Sequence, residues 1–163
     1  MLRNYYGWAE LPKVEVEIKL DAPLDKVWSV LENPDEYIQR LDPRVLTYEL
    51  DPPGRISVGQ KVHTTVLVRG NRDAQSFSEV TEVVPKQKIV NTHTPNRLFA
   101  QSRETLTLEP VQDGTLVRVL VDYEPNGLRA KILSVLFARR VLNKNMRITL
   151  FNLKRLVESD DLY

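Results

Sequence analysis

The sequence predicts an α+β fold in which about seven antiparallel strands close against a long C-terminal helix, with two short helices after the first strand. Three features predict it. Lys13–Leu20 alternates charged and apolar side chains, which is typical of a half-buried strand. Further alternating segments follow, joined by turns short enough to require antiparallel neighbours. The last long segment, Leu128–Val157, contains no proline, glycine or acidic residue and has helical spacing.

The two short helices are predicted from their ends. Asp21 can cap the first helix, and Pro23 suits its first turn. Its apolar residues, Leu24, Val27, Trp28 and Leu31, have helical spacing. Asn33-Pro34 ends it, and Pro34–Leu41 forms the second helix.

The middle of the chain returns to a period of two residues. Leu46, Tyr48 and Leu50 alternate in a strand that begins near Arg44. The strands that follow are Val62–Arg69, Gln75–Val84, Lys88–His93, Leu98–Glu109 and Thr115–Tyr123. Gly70-Asn71 and Asp113-Gly114 are predicted turns between neighbouring strands.

The C-terminal helical segment exceeds the usual length of a globular helix, so we expect a break near Ala138–Arg140. The part before it, Leu128–Ala138, is apolar nearly all round, and the part from Arg139 onward is amphipathic. One face of the second part carries Leu142, Met146, Leu150, Leu153, Leu156 and Val157. The opposite face carries Arg140, Lys144, Arg147, Lys154 and Arg155. We expect the apolar face to close the core of the sheet.

Composition limits the possible classes. A chain of 163 residues suits one domain, taken as 1–163, with residues 1–12 as an arm containing Tyr5, Tyr6 and Trp8. The absence of cysteine excludes disulfides, thiolate nucleophiles and iron–sulfur clusters. The N-terminus lacks the apolar core of a signal peptide, and no segment is long enough to span a bilayer, so a cytoplasmic protein is expected. Nucleophile elbows and phosphate-binding glycine loops are missing as well.

Charge is distributed unevenly along the chain. The segment Leu128–Val157 holds 8 of the 23 basic residues and none of the 22 acidic ones. A solvated helix face explains this most simply, and an anionic partner such as RNA, a lipid headgroup or an acidic protein patch is the alternative. Phe151 falls among these basic residues and could contact a membrane, a nucleic-acid base or a second subunit. Coverage by other residues or a homodimer is preferred to a membrane, and no DNA partner is expected.

Several short motifs resemble one protein superfamily. They are the first strand running into Asp21-Ala22-Pro23, Val27-Trp28-Ser29-Val30-Leu31, Asn33-Pro34 with Tyr37, Glu79-Val80-Thr81-Glu82-Val83-Val84-Pro85, Asp113-Gly114-Thr115 and the C-terminal helix. Together they resemble the SRPBCC superfamily, also called START-like or Bet v-type, and within it the polyketide cyclase/dehydrase-like subgroup. The likeness extends from about Val14 to Glu158.

The resemblance implies a helix-grip fold, in which a seven-stranded antiparallel sheet curls around the long C-terminal helix and a hydrophobic cavity lies between them. It also implies the binding of a lipid, hormone, quinone or polyketide, with cyclisation or dehydration in some members. Function does not follow from this fold alone. No catalytic set of any one cyclase maps onto this sequence, and no cofactor is predicted.

Glu104 is the main candidate for chemistry. Counting back by two from Leu108 and Leu106 places Glu104, Ser102 and Ala100 on the same strand face. If that face points inward, Glu104 lies on the cavity side and needs a partner or a raised pKa. Tyr123 shares the inward face of the next strand with Val117, Val119 and Val121, so its hydroxyl could lie near the same cavity. A shift in register that puts Glu104 in water is the alternative.

The C-terminal helix supplies polar candidates on its inner side. Asn145 and Thr149 interrupt the apolar face, and Asn152 lies beside it. Such groups are either satisfied by the backbone or orient a ligand in an apolar pocket. Tyr37 is expected at the pocket mouth, whereas Trp28 is expected in the core.

The histidines are isolated in sequence. His63 and His93 lie in different strands without a metal-binding spacing, so a metal site would require them to converge with a carboxylate. We take both as ordinary surface or rim residues and predict no metal site.

Three functional hypotheses result. The preferred one is a binding protein for a hydrophobic small molecule, because no catalytic constellation is present. The second is a cyclase- or dehydratase-type enzyme in which Glu104, Tyr123 or a histidine transfers protons on a polyketide-like substrate. The third is an interaction protein whose basic helix face binds RNA, the ribosome or a lipid surface.

Overall fold

A computed structural model describes residues 11–68, 72–97, 99–128, 132 and 137–159. Three sequence predictions fall outside these residues: the aromatic arm with Tyr5, Tyr6 and Trp8, the turn at Gly70-Asn71, and most of the apolar part of the C-terminal segment.

The described elements follow the predicted order. The strands are β1 (Lys13–Leu20), β2 (Val45–Asp51), β3 (Lys61–Val68), β4 (Arg72–Val84), β5 (Lys88–His93), β6 (Phe99–Val111) and β7 (Gly114–Pro125). The helices are α1 (Leu24–Leu31) and α2 (Pro34–Leu41), both between β1 and β2, and α3 (Arg139–Glu158) at the C-terminal end.

The strands form one antiparallel sheet of seven strands in the order β1-β7-β6-β5-β4-β3-β2. This sheet with its long C-terminal helix confirms the predicted α+β helix-grip architecture. Because β1 pairs with β7, the first and last strands are neighbours, and consecutive strands from β2 to β7 pair with one another.

The alternation in β1 and β7 places the core on one side of the sheet. Val16 lies opposite Val119, and Val14 lies opposite Val121, and all four are buried. The charged residues between them point to the other side, where Glu17 accepts hydrogen bonds from Arg118. We call the side with the valines the inner face and the other side the outer face of the sheet.

Register shifts change the side on which residues lie, and two of the three in the described sheet affect residues whose side the sequence predicts. The β2–β3 register shifts between Val45 and Thr47, and Leu46, which the alternation places with Tyr48 and Leu50, is instead 42% exposed. A second shift occurs in β6 between Phe99 and Gln101. Counting by two therefore fails beyond Ser102, and Phe99 rather than Ala100 packs against the core.

The predicted hairpin at Asp113-Gly114 is present, but its glycine is required for space. Asp113 adopts the left-handed conformation with φ of 60°. A Cβ on Gly114 would lie 2.0 Å from the carbonyl oxygen of Leu20, so only glycine fits beside β1.

Helix α3 begins at Arg139, and Phe137 and Ala138 directly before it have π-helical bonding, so the backbone is locally irregular but still helical where the sequence predicts a break. Its buried residues are Met146, Leu150, Leu153, Leu156 and Val157, as the sequence predicts. No helix in the described ranges is both long and apolar enough to cross a membrane.

The C-terminal half of α3 is tied to the first part of the chain by hydrogen bonds. The Asn152 side chain donates to the carbonyl oxygen of Leu41 at 3.0 Å. Nζ of Lys154 donates to the carbonyl oxygen of Lys19 at 3.2 Å, and the backbone N–H of Asp21 donates to Glu158 at 2.7 Å. Among the residues described, the side-chain hydrogen bonds that join α3 to other elements all involve Asn152 or residues after it.

The buried side of α3 should dominate stability. Leu153 is 1% exposed, and Leu153→Ala should lower the free energy of unfolding by about 2–5 kcal/mol because it leaves a cavity in the core. Ile148→Ala on the same helix, at a position 40% exposed, should change it by no more than about 0.5 kcal/mol. Urea denaturation followed by circular dichroism measures both, and equal effects would contradict this packing.

Candidate functional site

A cavity of about 240 Å³ lies between α3 and the inner face of β6 and β7. Its lining is mostly apolar and consists of Leu31, Leu41, Leu106, Val119, Val121, Leu142, Met146, Leu150 and Leu153. The cavity is positioned by the antiparallel register, because Glu104 lies directly opposite Val121 and Leu106 opposite Val119. Residues from α1, α2, β6, β7 and α3 therefore surround one space.

Five polar residues also line this cavity. Glu104 comes from β6, Asn145 and Thr149 come from α3, and Asp42 and Arg44 come from the segment between α2 and β2. Asp42 and Arg44 form a bidentate ion pair, with Nε to Oδ1 at 2.9 Å and Nη2 to Oδ2 at 2.6 Å.

Two of the remaining polar groups are available to a ligand. Thr149 is engaged, because it donates its hydroxyl hydrogen to the carbonyl oxygen of Asn145 at 3.2 Å within the helix. Within the described part of the chain, neither the Glu104 carboxylate nor the side-chain amide of Asn145 has a hydrogen-bond partner. A carboxylate that is ionised only accepts hydrogen bonds, whereas an amide both donates and accepts.

Tyr48 adds a phenol that is electrostatically coupled to Glu104. Burial raises the pKa of Tyr48 well above its ordinary value, and the negative charges of Asp35 and Glu104 raise it further. Its hydroxyl therefore stays protonated at neutral pH and can act as a donor. Tyr48 packs against a second buried cluster formed by Leu50, Val62 and Val80.

The structure brings three of the six predicted ligand-binding residues together. Glu104, Asn145 and Thr149 line the cavity, with Glu104 on the inner face as expected. Tyr37, Ser102 and Tyr123 are not among the described residues that line the cavity, so their roles stay predictions.

The positions of those three residues have physical causes. Tyr123 is buried in the core, where its ring lies 5.0 Å from that of Phe99, which the bulge in β6 turns inward. Ser102 is buried directly opposite Tyr123, one row from Glu104. Tyr37 is half-buried on α2 and packs against the main core.

Two further side chains that the sequence singled out are structural. Trp28 is buried, and its Nε1 donates to Glu32 at 3.0 Å. The Asn152 side chain donates a hydrogen bond to the carbonyl oxygen of Leu41, which lies at the end of α2 and therefore accepts no hydrogen bond within that helix.

The two histidines lie on opposite faces of the sheet. In the sheet register, His63 of β3 lies opposite Phe77 of β4, and the two rings stack with their centroids 4.4 Å apart. His93 of β5 lies opposite Ser78, the residue that follows Phe77 in β4. Successive residues of a strand point to opposite sides, so the histidines do not converge. No cluster of three potential metal-binding side chains occurs in the part of the chain that the structure describes.

A larger depression of about 570 Å³ lies over β2 to β5 on the outer face, beside His63 and Phe77. Several of its charged residues are already engaged in pairs, Lys61 with Glu79 and His63 with Glu49. The inner cavity, with Glu104 and Asn145 available, is therefore the better candidate for a binding site.

Sequence reasoning missed Tyr48, Asp42 and Arg44 as groups in or near the cavity. Tyr48 could have been found, because alternation with Leu50 places it on the inner face. Asn91, directly opposite Glu104 on β5, could have been found from the register in the same way. Asp42 and Arg44 carried no such signal, because the segment between α2 and β2 has no period from which a direction can be read.

Lys154 differs from the other basic residues predicted on the outer side of α3. Besides its bond to Lys19, Nζ lies 2.6 Å from Glu158 and 3.7 Å from Asp21. The hydrogen bond to Glu158 raises the pKa of Lys154. Burial raises the pKa of Glu158, but hydrogen bonds from Lys154 and from the Asp21 backbone outweigh burial and lower it. We call Lys154, Glu158 and Asp21 the helix clamp.

Removing the helix clamp should lower stability in a pH-dependent way. Lys154→Met should lower the free energy of unfolding by about 1 kcal/mol at neutral pH. A lowered Glu158 pKa stabilises the fold above its ordinary value of 4.5, and this contribution is lost as pH falls through the folded pKa. The difference between wild type and variant should therefore shrink in acid. Arg155→Met, at the next residue, is the control and should have little effect; equal losses in urea denaturation would contradict the clamp.

Tyr48 should influence stability in alkali. Above its ordinary pKa of 10.0 the unfolded chain ionises Tyr48 while the folded protein keeps it neutral, so wild-type stability falls by up to about 1.4 kcal/mol per pH unit from this group. Tyr48→Phe lacks this loss, and its stability relative to wild type should rise between pH 10 and the folded pKa. Urea midpoints across this range measure the difference, and parallel curves would refute a buried Tyr48 hydroxyl.

Solved structures share this architecture. Protein TTHA0849 from Thermus thermophilus superposes with a TM-score of 0.74 at 17% identity, covering 92% of this chain and 99% of that one. The major latex-like protein 151 from Panax ginseng gives 0.72 at 12% identity, covering 90% and 97%. The di-domain ARO/CYC protein StfQ of the steffimycin biosynthetic pathway gives 0.75 at 17% identity, covering 90% of this chain and 50% of that one.

These similarities establish the fold. No curated protein matches the chain significantly. The family model for polyketide cyclase / dehydrase and lipid transport proteins matches residues 12–158, which is most of the chain. The protein with this cavity between sheet and helix therefore belongs to the polyketide cyclase / dehydrase and lipid transport family of the SRPBCC superfamily.

Proposed function

We propose that this protein binds a small, mostly apolar molecule that presents a hydrogen-bond donor, such as a hydroxyl group, to Glu104. The observation that carries the proposal is the apolar cavity under α3, in which the Glu104 carboxylate and the Asn145 amide have no hydrogen-bond partner among the described residues. Membership of a family of cyclases, dehydrases and lipid transport proteins supports a ligand in this position.

The volume limits the ligand. A space of about 240 Å³ is about eight times the ~30 Å³ that one water molecule occupies in the liquid, so it exceeds an ordinary buried-water site. It is slightly smaller than the ~300–1,000 Å³ of most small-molecule pockets. The size suits a one- or two-ring compound or a short acyl chain.

The polar groups limit the ligand further. A ligand that displaces water from the half-buried Glu104 carboxylate must offer it a donor, because a carboxylate enclosed by apolar groups without a partner is unfavourable. The apolar lining around Glu104, with Val121 and Leu150, suits a hydrocarbon body. Asn145 can then orient a second polar group of the ligand, because it both donates and accepts.

The test compares two probes that differ in one hydroxyl group. Wild-type protein should bind 2-naphthol more tightly than naphthalene, and Glu104→Gln should weaken 2-naphthol binding by about tenfold while leaving naphthalene unchanged. Glu109→Gln is the matched control, because it makes the same change in the same strand at an exposed position. Isothermal titration measures the affinities of both probes for the three proteins.

Two results would contradict the proposal. One is the absence of binding of either probe to the wild-type protein. The other is an equal loss of 2-naphthol binding in Glu104→Gln and Glu109→Gln, because the effect would then not arise in the cavity.

A second candidate function is proton-transfer catalysis, and the coupling between Tyr48 and Glu104 favours it. Glu104 in the cavity lining would be the proton acceptor, and Tyr48, which is not among the described lining residues but is coupled to Glu104 by charge, would be the donor that an acid–base dehydration requires. Incubating a small-molecule extract with the protein would then yield a product that has lost water, detected by mass spectrometry. The product should be missing with Glu104→Gln, and an unchanged extract with wild-type protein leaves binding as the function.

A further inference from the structure

The outer side of α3, opposite the cavity, carries a mixed apolar and basic surface. Four large apolar side chains are exposed there: Phe137 by 60%, Val141 by 55%, Ile148 by 40% and Phe151 by 55%. With helical spacing they form one stripe along the helix. The basic residues within and beside it are Arg140, Lys144, Arg147 and Arg155. We call these eight residues the outer α3 surface.

The basic residues of the outer α3 surface have no acidic partners within the described part of the chain. Arg147 contacts only the neutral side chain of Asn143, at 2.8 Å. The one acidic residue of α3, Glu158, is held in the helix clamp with Lys154. Four positive charges therefore face outward without compensation, beside a depression of about 490 Å³ lined by Arg139, Arg140, Asn143, Lys144, Arg147 and Ile148.

We propose that the outer α3 surface docks the protein on an anionic lipid bilayer. A helix that lies in a membrane interface has an apolar stripe for the acyl region and basic residues for the headgroups. The outer α3 surface has both parts, and its uncompensated charge is complementary to anionic lipid headgroups. The helix would lie flat on the bilayer, with Phe151 and Ile148 inserted and the arginines at headgroup level.

The surface fits RNA less well. Phosphate contacts explain the basic residues, and Phe151 could stack on a base. Val141 and Ile148 lie in the same stripe and have no flat face on which a base could stack. Their exposure is explained by insertion into lipid.

A second copy of this chain fits less well still. A two-fold contact through this surface would place the basic residues of one copy against those of the other, since symmetric interfaces use the same patch on both subunits. No acidic residue belongs to the surface to balance them. Repulsion therefore opposes the homodimer that the sequence suggested for Phe151.

The docking proposal is independent of the cavity. It rests on side chains that point away from the cavity, so it holds whether or not Glu104 binds a ligand. Leu142 and Asn145 of the same helix line the cavity, so docking would place the helix that covers the cavity at the lipid surface.

The experiment is co-sedimentation of the full chain with vesicles of phosphatidylcholine alone or with roughly one-third phosphatidylglycerol. Wild-type protein should bind only the anionic vesicles, and binding should fall steeply as salt reduces the Debye length from ~10 Å at 0.1 M to ~3 Å at 1 M. The double variant Lys144→Gln/Arg147→Gln should bind roughly 30-fold more weakly, at about fivefold per basic residue.

Two further variants separate the contributions. Ile148→Ser/Phe151→Ser keeps every charge and should weaken binding by at least about tenfold, because the apolar insertion is lost. Lys61→Gln/Lys86→Gln removes two positive charges from β3 and the β4–β5 turn and should bind like wild type. Thermal unfolding checks that all variants are folded.

Three outcomes would overturn the proposal. The first is the absence of binding to anionic vesicles at low salt. The second is an equal loss with the Lys61 and Lys86 control, which would indicate dependence on net charge alone. The third is tighter binding to a single-stranded RNA than to vesicles, with Ile148→Ser/Phe151→Ser unaffected, which would assign the surface to nucleic acid.

Discussion

Helix α3 is anchored to the sheet through its C-terminal half, and the cavity and both helix surfaces follow from this anchoring. Leu150, Leu153 and Val157 are buried against the sheet, and burying such side chains is the largest favourable contribution to folding. The helix clamp and Asn152 then fix the direction of the helix relative to β1 and α2. Directional bonds of this kind add little net stability, but they select one orientation of a helix that apolar contacts alone would leave adjustable.

This anchoring explains why a cavity can exist beneath the other half. From Arg139 to Ile148 no side chain of α3 is hydrogen-bonded to another element within the described ranges. The sheet below this half carries Glu104 and Asn91 in one row where β1 and β7 carry valines, so it does not pack densely against the helix. Apolar side chains that filled this space would make the fold more stable. The polar row lowers stability in comparison, but it supplies groups that can bind a ligand.

The two sides of α3 form separate surfaces because of helical periodicity. It places Met146 and Asn145 toward the cavity and Lys144 and Arg147 toward solvent, so neighbouring residues belong to different surfaces. A change on the outer side can therefore leave the cavity intact. Lys154 is the exception, because the end of β1 lies within its reach and turns a basic surface residue into part of the helix clamp.

Local sequence patterns were enough to establish the order of strands and helices, the core-facing side of β1 and β7, and the family. Alternation and helical spacing are local properties, so Val16 and Leu153 could be assigned to the core without knowledge of their neighbours. The same reasoning put Glu104 on one face with Leu106 and Leu108, and the structure shows that this face points inward.

Other features emerged only when the whole chain had folded. They are the exposure of Leu46, the coupling of Tyr48 to Glu104, the place of Arg44 in the cavity lining and the position of Tyr123 in the core. Bulges move residues between faces without a signal in the sequence. Tyr48 on β2 and Glu104 on β6 are separated by three strands in the sheet order, so the charge coupling between them depends on curling of the complete sheet.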